Sequence, residues 1–87
     1  MQRYTVEFTA HALRTLRRLE RIDQLRVTGA IELLADNPRP PTCVALAGVD
    51  SVYRVRVGDL RVVYEVQDSA LLVLVIRVGH RREVYRP

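Results

Sequence analysis

The sequence predicts an α+β domain in which an N-terminal strand and a helical hairpin pack on one face of a mostly antiparallel sheet, in the order β-α-α-β-β-β. Three patterns predict it: an alternating apolar segment at residues 4–8, two helical periodicities before residue 37, and three alternating apolar segments after residue 51. A chain of 87 residues has room for one hydrophobic core. We therefore expect a single domain spanning residues 1–87.

The N-terminal part holds the first strand and both helices. Residues 4–8 alternate and predict a half-buried strand. Thr9 is a suitable N-cap for the first helix and Asp23 for the second. The apolar side chains recur at helical spacing, as Ala12, Leu13, Leu16 and Leu19 and then as Val27, Ala30, Ile31 and Leu34. Asn37-Pro38 ends the second helix, because a residue before proline avoids helical backbone.

The C-terminal part holds the remaining strands. Residues 37–51 contain Pro38, Pro40, Pro41 and Gly48 without periodicity, which predicts a long loop. Three strands follow, at Val52–Val57, Leu60–Gln67 and Leu71–Gly79. The last is apolar on both faces, which is typical of a central strand.

The formal net charge is +4, and every basic residue is arginine. Residues 51–87 carry most of the excess. Because the planar guanidinium suits phosphate, a nucleic acid is the first partner to consider. The alternative is that arginine merely replaces lysine throughout the chain, and charge alone does not decide between the two.

Several classes of protein are excluded by composition. Cys43 is the single cysteine, so the chain has neither an internal disulfide nor a thiolate metal cluster. The longest apolar run, residues 70–76, is too short to span a membrane. The N-terminus lacks the apolar stretch of a signal peptide, so we expect a cytoplasmic protein without a membrane partner.

Gly58-Asp59 lies between two alternating segments and predicts a two-residue hairpin. In that register Arg56 faces Arg61 and Arg54 faces Val63. Directly opposed residues share a face, so one face is apolar and is formed by Tyr53, Val55, Val57, Leu60, Val62, Tyr64 and Val66. The other face collects three guanidiniums, which predicts an anion or phosphate site; the alternative is a solvated face neutralised by Glu65, Asp50 or Asp59.

The next turn, Asp68-Ser69-Ala70, reads as a three-residue loop that pairs Gln67 with Leu71. That register adds Leu72, Leu74, Ile76 and Val78 to the apolar face. Arg77, Gly79 and Arg81 then join the face of the arginines.

Two segments resemble the RelE/ParE superfamily of toxins from toxin–antitoxin systems: residues 53–64, YRVRVGDLRVVY, and residues 78–85, VGHRREVY. The resemblance includes the helical hairpin and covers nearly the whole chain. It implies a RelE-like fold and a cognate antitoxin as partner. RelE-type members are ribosome-dependent mRNA endonucleases that act without a metal, whereas ParE-type members poison DNA gyrase.

The resemblance assigns the RelE-type cleavage set to Arg54, Arg56, Arg61, Arg81 and Tyr85. Arg77 and Arg82 are candidates for binding RNA and the ribosome. Arg54 and Arg56 stand where well-known members commonly have lysine, and arginine cannot lose its proton as lysine can. The identity of the general base therefore stays open.

Tyr85 and His80 are the candidates for proton transfer. Nearby cations favour the phenolate of Tyr85 and the neutral form of His80. Alternation directs His80 away from Arg81, which favours a packing role, so Tyr85 is preferred. The chain has no carboxylate cluster for magnesium and no histidine pair at metal-ligand spacing, and we expect no metal and no cofactor. The expected function is a ribosome-dependent mRNA endonuclease; the alternatives are a gyrase inhibitor and a non-catalytic basic interaction module.

Overall fold

A computed structural model describes residues 3–80. Its elements are β1 (Thr5–Phe8), α1 (Ala10–Arg18), α2 (Arg21–Asp36), β2 (Val44–Ala45), β3 (Val52–Val57), β4 (Leu60–Gln67), a 3₁₀ turn (Asp68–Ala70) and β5 (Leu72–His80). The strands form one sheet in the order β1-β5-β4-β3-β2. β1 runs parallel to β5, and the other pairs are antiparallel. The predicted α+β fold is confirmed.

The helical hairpin is tighter than the sequence predicted. Thr9 caps α1 as expected, because its hydroxyl oxygen accepts from the Ala12 N–H at 3.1 Å. The prediction that Asp23 caps α2 is wrong, since α2 begins at Arg21 and Asp23 lies in its first turn. There its carboxylate interacts favourably with the positive end of the helix dipole instead. The Gln24 side chain donates to the Leu16 and Arg17 carbonyls in the last turn of α1, at 3.0 and 3.1 Å, where helix carbonyls lack donor partners within the helix.

The core lies between the helices and one face of the sheet. Its fully enclosed side chains include Val27 and Leu34 of α2, Val62 and Tyr64 of β4, and Val73 and Val75 of β5. β3 contributes Val55 to the same cluster. Because the helices cover this face, the opposite face of β3, β4 and β5 presents the arginines.

The predicted register between β4 and β5 is wrong over residues 71–76. The connection has four residues, because Leu71 adopts a left-handed conformation with φ of 51° and Gln67 pairs with Leu72. Val73 and Val75, rather than Leu72 and Leu74, are therefore in the core.

A β-bulge at Ile76 then restores the predicted phase. Tyr64 pairs with Val75 but Val63 pairs with Arg77, so β5 carries one additional residue, Ile76. The prediction that Ile76 belongs to the core is wrong, since it is not among the buried core residues. Beyond the bulge Val78 is buried in the core, as predicted. Arg77 and Gly79 lie opposite Val63 and Arg61, which confirms their predicted face.

The loop of residues 37–51 contains the short strand β2, which the sequence did not predict. Val44 pairs with Arg54 and Ala45 with Tyr53, so β2 extends the sheet beyond β3. Across residues 3–80, the helices are all too short or too polar to cross a membrane.

Candidate functional site

The β3–β4 hairpin has the predicted geometry. Gly58 adopts a positive φ of 61° in the turn, which is the conformation that a tight two-residue turn requires of its first residue. Arg56 pairs with Arg61 and Arg54 with Val63. The hairpin therefore holds three arginines on the face of the sheet that is turned away from the helices.

Two rows of paired residues cross this face. Arg56 of β3, Arg61 of β4 and Gly79 of β5 form one row. Arg54 of β3, Val63 of β4 and Arg77 of β5 form the other. We call the surface formed by Arg54, Arg56, Arg61 and Arg77 the arginine face.

A cleft of about 210 Å³ opens on the arginine face. It is lined by Arg54, Arg56 and Arg61 from the hairpin and by Thr42 and Val44 from the segment that leads into β2. β2 therefore supplies a wall to the site. The only sequence signal for this wall was the placement of Thr42 and Val44 two residues apart, which is too short a pattern to indicate a strand.

Arg61 has an unusual environment for a cation. It lies on the central strand of the sheet and is only 8% exposed. Its Nη1 atom is buried and has no hydrogen-bond partner within the described part of the chain. A buried donor without an acceptor costs about 1–3 kcal/mol, so a bound anion that supplies the acceptor would stabilise the protein.

The acids that were candidates to neutralise this face have other contacts or lie at its margins. Glu65 shares the face of Arg61 by alternation, and its carboxylate accepts from the Gln67 amide at 2.7 Å. Asp59 is part of the exposed hairpin turn, and Asp50 lies in the exposed loop before β3. Among residues 3–80, positive charge therefore dominates the lining of the cleft.

The structure brings four of the predicted site residues together: Arg54, Arg56, Arg61 and Arg77. His80 pairs with Leu60, whose side chain is in the core, so His80 lies on the opposite face from Arg61. It is exposed rather than packed. The remaining predicted residues, Arg81, Arg82 and Tyr85, lie outside the described residues.

A second polar cluster, not predicted from the sequence, anchors the loop before β2. Arg39 donates to both oxygens of Asp68 at 3.1 and 2.7 Å and to the Tyr53 hydroxyl at 2.9 Å. Tyr4 donates its hydroxyl to Asp68 at 2.6 Å. These bonds, from Arg39 first and Tyr4 second, lower the pKa of Asp68 to about 2. The same bond to Asp68 raises the pKa of Tyr4.

Tyr64 fastens the same loop from inside the core. Its hydroxyl donates to the Pro38 carbonyl at 2.8 Å. Burial raises the pKa of Tyr64 above its usual value, so the phenol remains protonated. Its role is structural, and it connects the core strand β4 to the loop that carries Thr42.

Residues 4–85 match the model of the ParE toxin of type II toxin–antitoxin systems. Toxin RelG of Mycobacterium tuberculosis is 35% identical over 91 residues, covering 95% of this chain and 97% of RelG. The structure of the isolated E. coli RelE toxin is 29% identical with a TM-score of 0.81, covering 94% of this chain and 90% of RelE.

A further similar structure comes from the intact E. coli RelBE toxin–antitoxin complex. The matched chain is 26% identical with a TM-score of 0.80, covering 88% of this chain and 95% of that one. The family match spans nearly the whole chain and includes the hairpin that forms the arginine face. The chain belongs to the RelE/ParE superfamily and is a RelE-like toxin of a toxin–antitoxin system.

Proposed function

We propose that the chain is a ribosome-dependent mRNA endonuclease that inhibits translation. The observation that carries this proposal is the buried Nη1 of Arg61, which has no hydrogen-bond partner among residues 3–80, beside a cleft lined by Arg54 and Arg56. A phosphodiester oxygen is the acceptor that this arrangement lacks. A ribosomal target would place this action in the cytoplasm.

In the proposed reaction the ribose 2′-oxygen attacks the adjacent phosphorus and the bond to the 5′-oxygen breaks. The products are a 2′,3′-cyclic phosphate and a free 5′-hydroxyl, so the proton lost by the 2′-hydroxyl is balanced by one gained at the 5′-oxygen. Charge builds up on the phosphorane oxygens in between. Preorganised guanidiniums stabilise that charge, and such electrostatic stabilisation usually contributes more to catalysis than any other single effect.

The arginines divide this work by position. Arg56 and Arg61 are directly opposed on adjacent strands and bracket one phosphate. Arg54 holds the neighbouring backbone in register from the second row of the arginine face. Arg81 joins the transition-state contacts, and Arg77 and Arg82 bind ribosomal or messenger RNA.

Tyr85 moves the proton in this proposal. His80 is the second candidate, although it stands on the opposite face from Arg61. The guanidiniums supply the charge stabilisation that a metal provides in other nucleases, so the proposed reaction uses no metal ion. The cleft holds only about 210 Å³, so in this proposal the ribosome orients the message, as proximity catalysis requires.

We also propose that a cognate antitoxin neutralises the toxin. The basis is the chain's similarity to the toxin of the E. coli RelBE complex. An acidic segment that folds on binding fits the basic surface of this chain. Copurification with the product of the adjacent reading frame tests the interaction.

DNA gyrase inhibition is the second candidate function, because the matching family model is that of ParE. Primer extension on mRNA after induced expression, with DNA topology assayed in parallel, separates the two. Cleavage at discrete positions within codons is expected here. Intact mRNA with broken or relaxed DNA would replace the endonuclease with the gyrase inhibitor. Arg61→Met serves as the inactive variant. Arg14→Met removes the same charge from an exposed position of α1 and serves as its control.

A further inference from the structure

Thr42 is the polar, uncharged member of the cleft and was absent from every prediction of the site. It is exposed and precedes β2 by two residues. Together with Val44 it lines the cleft that also contains Arg54, Arg56 and Arg61. Within residues 3–80 its hydroxyl has no hydrogen-bond partner, so the group is available to a ligand.

The hydrogen-bonding capacity of the lining side chains separates Thr42 from its neighbours. A guanidinium only donates hydrogen bonds, and valine makes none. Among the side chains of residues 3–80 that line the cleft, the Thr42 hydroxyl alone can accept a hydrogen bond. Phosphate oxygens are acceptors and match the arginines, whereas a ribose 2′-hydroxyl is also a donor and requires an acceptor.

Thr42 is held in place from both sides. The following residue, Cys43, donates its backbone N–H to the Pro40 carbonyl at 3.0 Å. Val44 pairs with Arg54 in the sheet. Before Thr42, the Arg39–Asp68 bonds fasten the loop to the turn between β4 and β5. Because the backbone on both sides of Thr42 is already held, a ligand that binds its hydroxyl need not order the loop, and binding loses little conformational entropy.

We propose that the Thr42 hydroxyl accepts a hydrogen bond from the ribose 2′-hydroxyl of a nucleotide whose phosphate lies on Arg56 and Arg61. Thr42 then determines the preference of the cleft for RNA over DNA. This inference rests on the proposed function for the choice of polymer. Thr42 reads and positions the ribose; it does not take the proton in the reaction.

Binding of three labelled single strands of one sequence tests the proposal: RNA, DNA and 2′-fluoro RNA. The fluoro strand keeps a ribose-like sugar but cannot donate. Fluorescence anisotropy at low salt should show that the wild type prefers RNA. Thr42→Val should weaken RNA binding about 2- to 10-fold, the worth of one neutral hydrogen bond, and leave the other two strands unchanged. Thr42→Ser should restore the preference, and the exposed control Thr28→Val should retain it.

Three results would overturn the role of Thr42: no RNA preference in the wild type, no change in Thr42→Val, or equal weakening for all three strands. Single-turnover cleavage on programmed ribosomes is measured with the same variants. If the wild type cleaves mRNA but any of these three binding results is found, the proposed endonuclease activity is kept and the role of Thr42 is rejected. If the wild type does not cleave mRNA but Thr42→Val abolishes the RNA preference, the proposed endonuclease activity is rejected and the contact between Thr42 and the ribose is kept.

Discussion

Arg56 and Arg61 are directly opposed across the β3–β4 hairpin, and Arg61 is almost entirely removed from solvent. Like charges at such positions destabilise a sheet, and burial reduces the screening that would relieve the repulsion. The two-residue turn at Gly58-Asp59 nevertheless imposes this pairing. The protein therefore maintains an unfavourable charge arrangement that a bound anion relieves.

Inorganic phosphate should consequently stabilise the folded protein. A ligand present at about 100-fold its Kd adds about 2.7 kcal/mol to the free energy of unfolding when it binds only the native state. We expect Tm to rise with phosphate concentration at constant ionic strength. The rise should be lost in Arg61→Met and kept in Arg14→Met, which removes an exposed charge from α1. An equal rise in both variants would show general charge screening instead of a site.

Arg61→Met should separate stability from activity. The variant removes a buried donor that has no acceptor in the part of the chain that the structure describes, so the free energy of unfolding should rise by about 1–3 kcal/mol. Cleavage should fall by about 10²–10³, the usual effect of losing one preorganised donor. Urea unfolding and single-turnover cleavage measure the two effects. Arg56→Met is the comparison: it relieves the same repulsion but removes an exposed side chain and no buried donor, so the free energy of unfolding should rise by no more than about 1 kcal/mol. A destabilised Arg61→Met would contradict this account.

The arginine face could be predicted from the sequence because a local signal determines it. Gly58-Asp59 sets the hairpin register, and alternation then assigns every side chain of β3 and β4 to a face. The turn after β4 has no such signal. Leu71 takes a left-handed conformation that is rare for a branched apolar side chain, so the sequence pattern favoured a loop shorter by one residue.

The bulge at Ile76 could not be predicted because its partner is remote in sequence. The Ile76 carbonyl accepts from the Thr9 hydroxyl at 2.7 Å, and the Val75 carbonyl accepts from the Thr9 N–H at 3.0 Å. Sequence periodicity does not show such a contact. Arg77 was placed correctly only because the loop error and the missed bulge cancel.

Thr9 therefore has two functions, and its substitution tests both. Its hydroxyl oxygen caps α1 by accepting from Ala12, and its hydroxyl hydrogen is donated to the bulge. Thr9→Ala should lower the free energy of unfolding by about 1–2 kcal/mol, at the upper end of the effect of losing a cap. Thr9→Ser should restore it. Thr15→Ala, which loses a bond to a carbonyl of its own helix, is the control; an equal loss there would remove the special role of Thr9.

Asp68 should make the protein sensitive to strong acid. Arg39 and Tyr4 lower its folded pKa to about 2, below the value of about 3.9 expected in the unfolded chain. A carboxyl with a depressed pKa stabilises the fold above the unfolded pKa, and this stabilisation is lost as the pH falls from about 4 to about 2. The difference in Tm between wild type and Asp68→Asn should shrink over that window. In an Arg39→Met background the effect of Asp68→Asn should be smaller, because Arg39 is the larger of the two contacts that lower the pKa of Asp68 and the Tyr4 bond remains; an undiminished effect would show that Arg39 is not the main partner.

Tyr85→Phe tests the step that the arginines cannot perform. Guanidinium groups stay protonated at neutral pH, so they stabilise charge but do not accept the 2′-hydroxyl proton. The variant keeps the aromatic ring, and any stacking on a base, while it removes the hydroxyl. We expect single-turnover cleavage on programmed ribosomes to slow by about 10²–10⁴, the usual contribution of general acid–base catalysis, with ribosome binding nearly unchanged. Full activity in Tyr85→Phe with loss in His80→Ala would move the proton transfer to His80. Full activity in both would leave substrate or ribosomal groups to move the proton, with the arginine face acting through its charge alone.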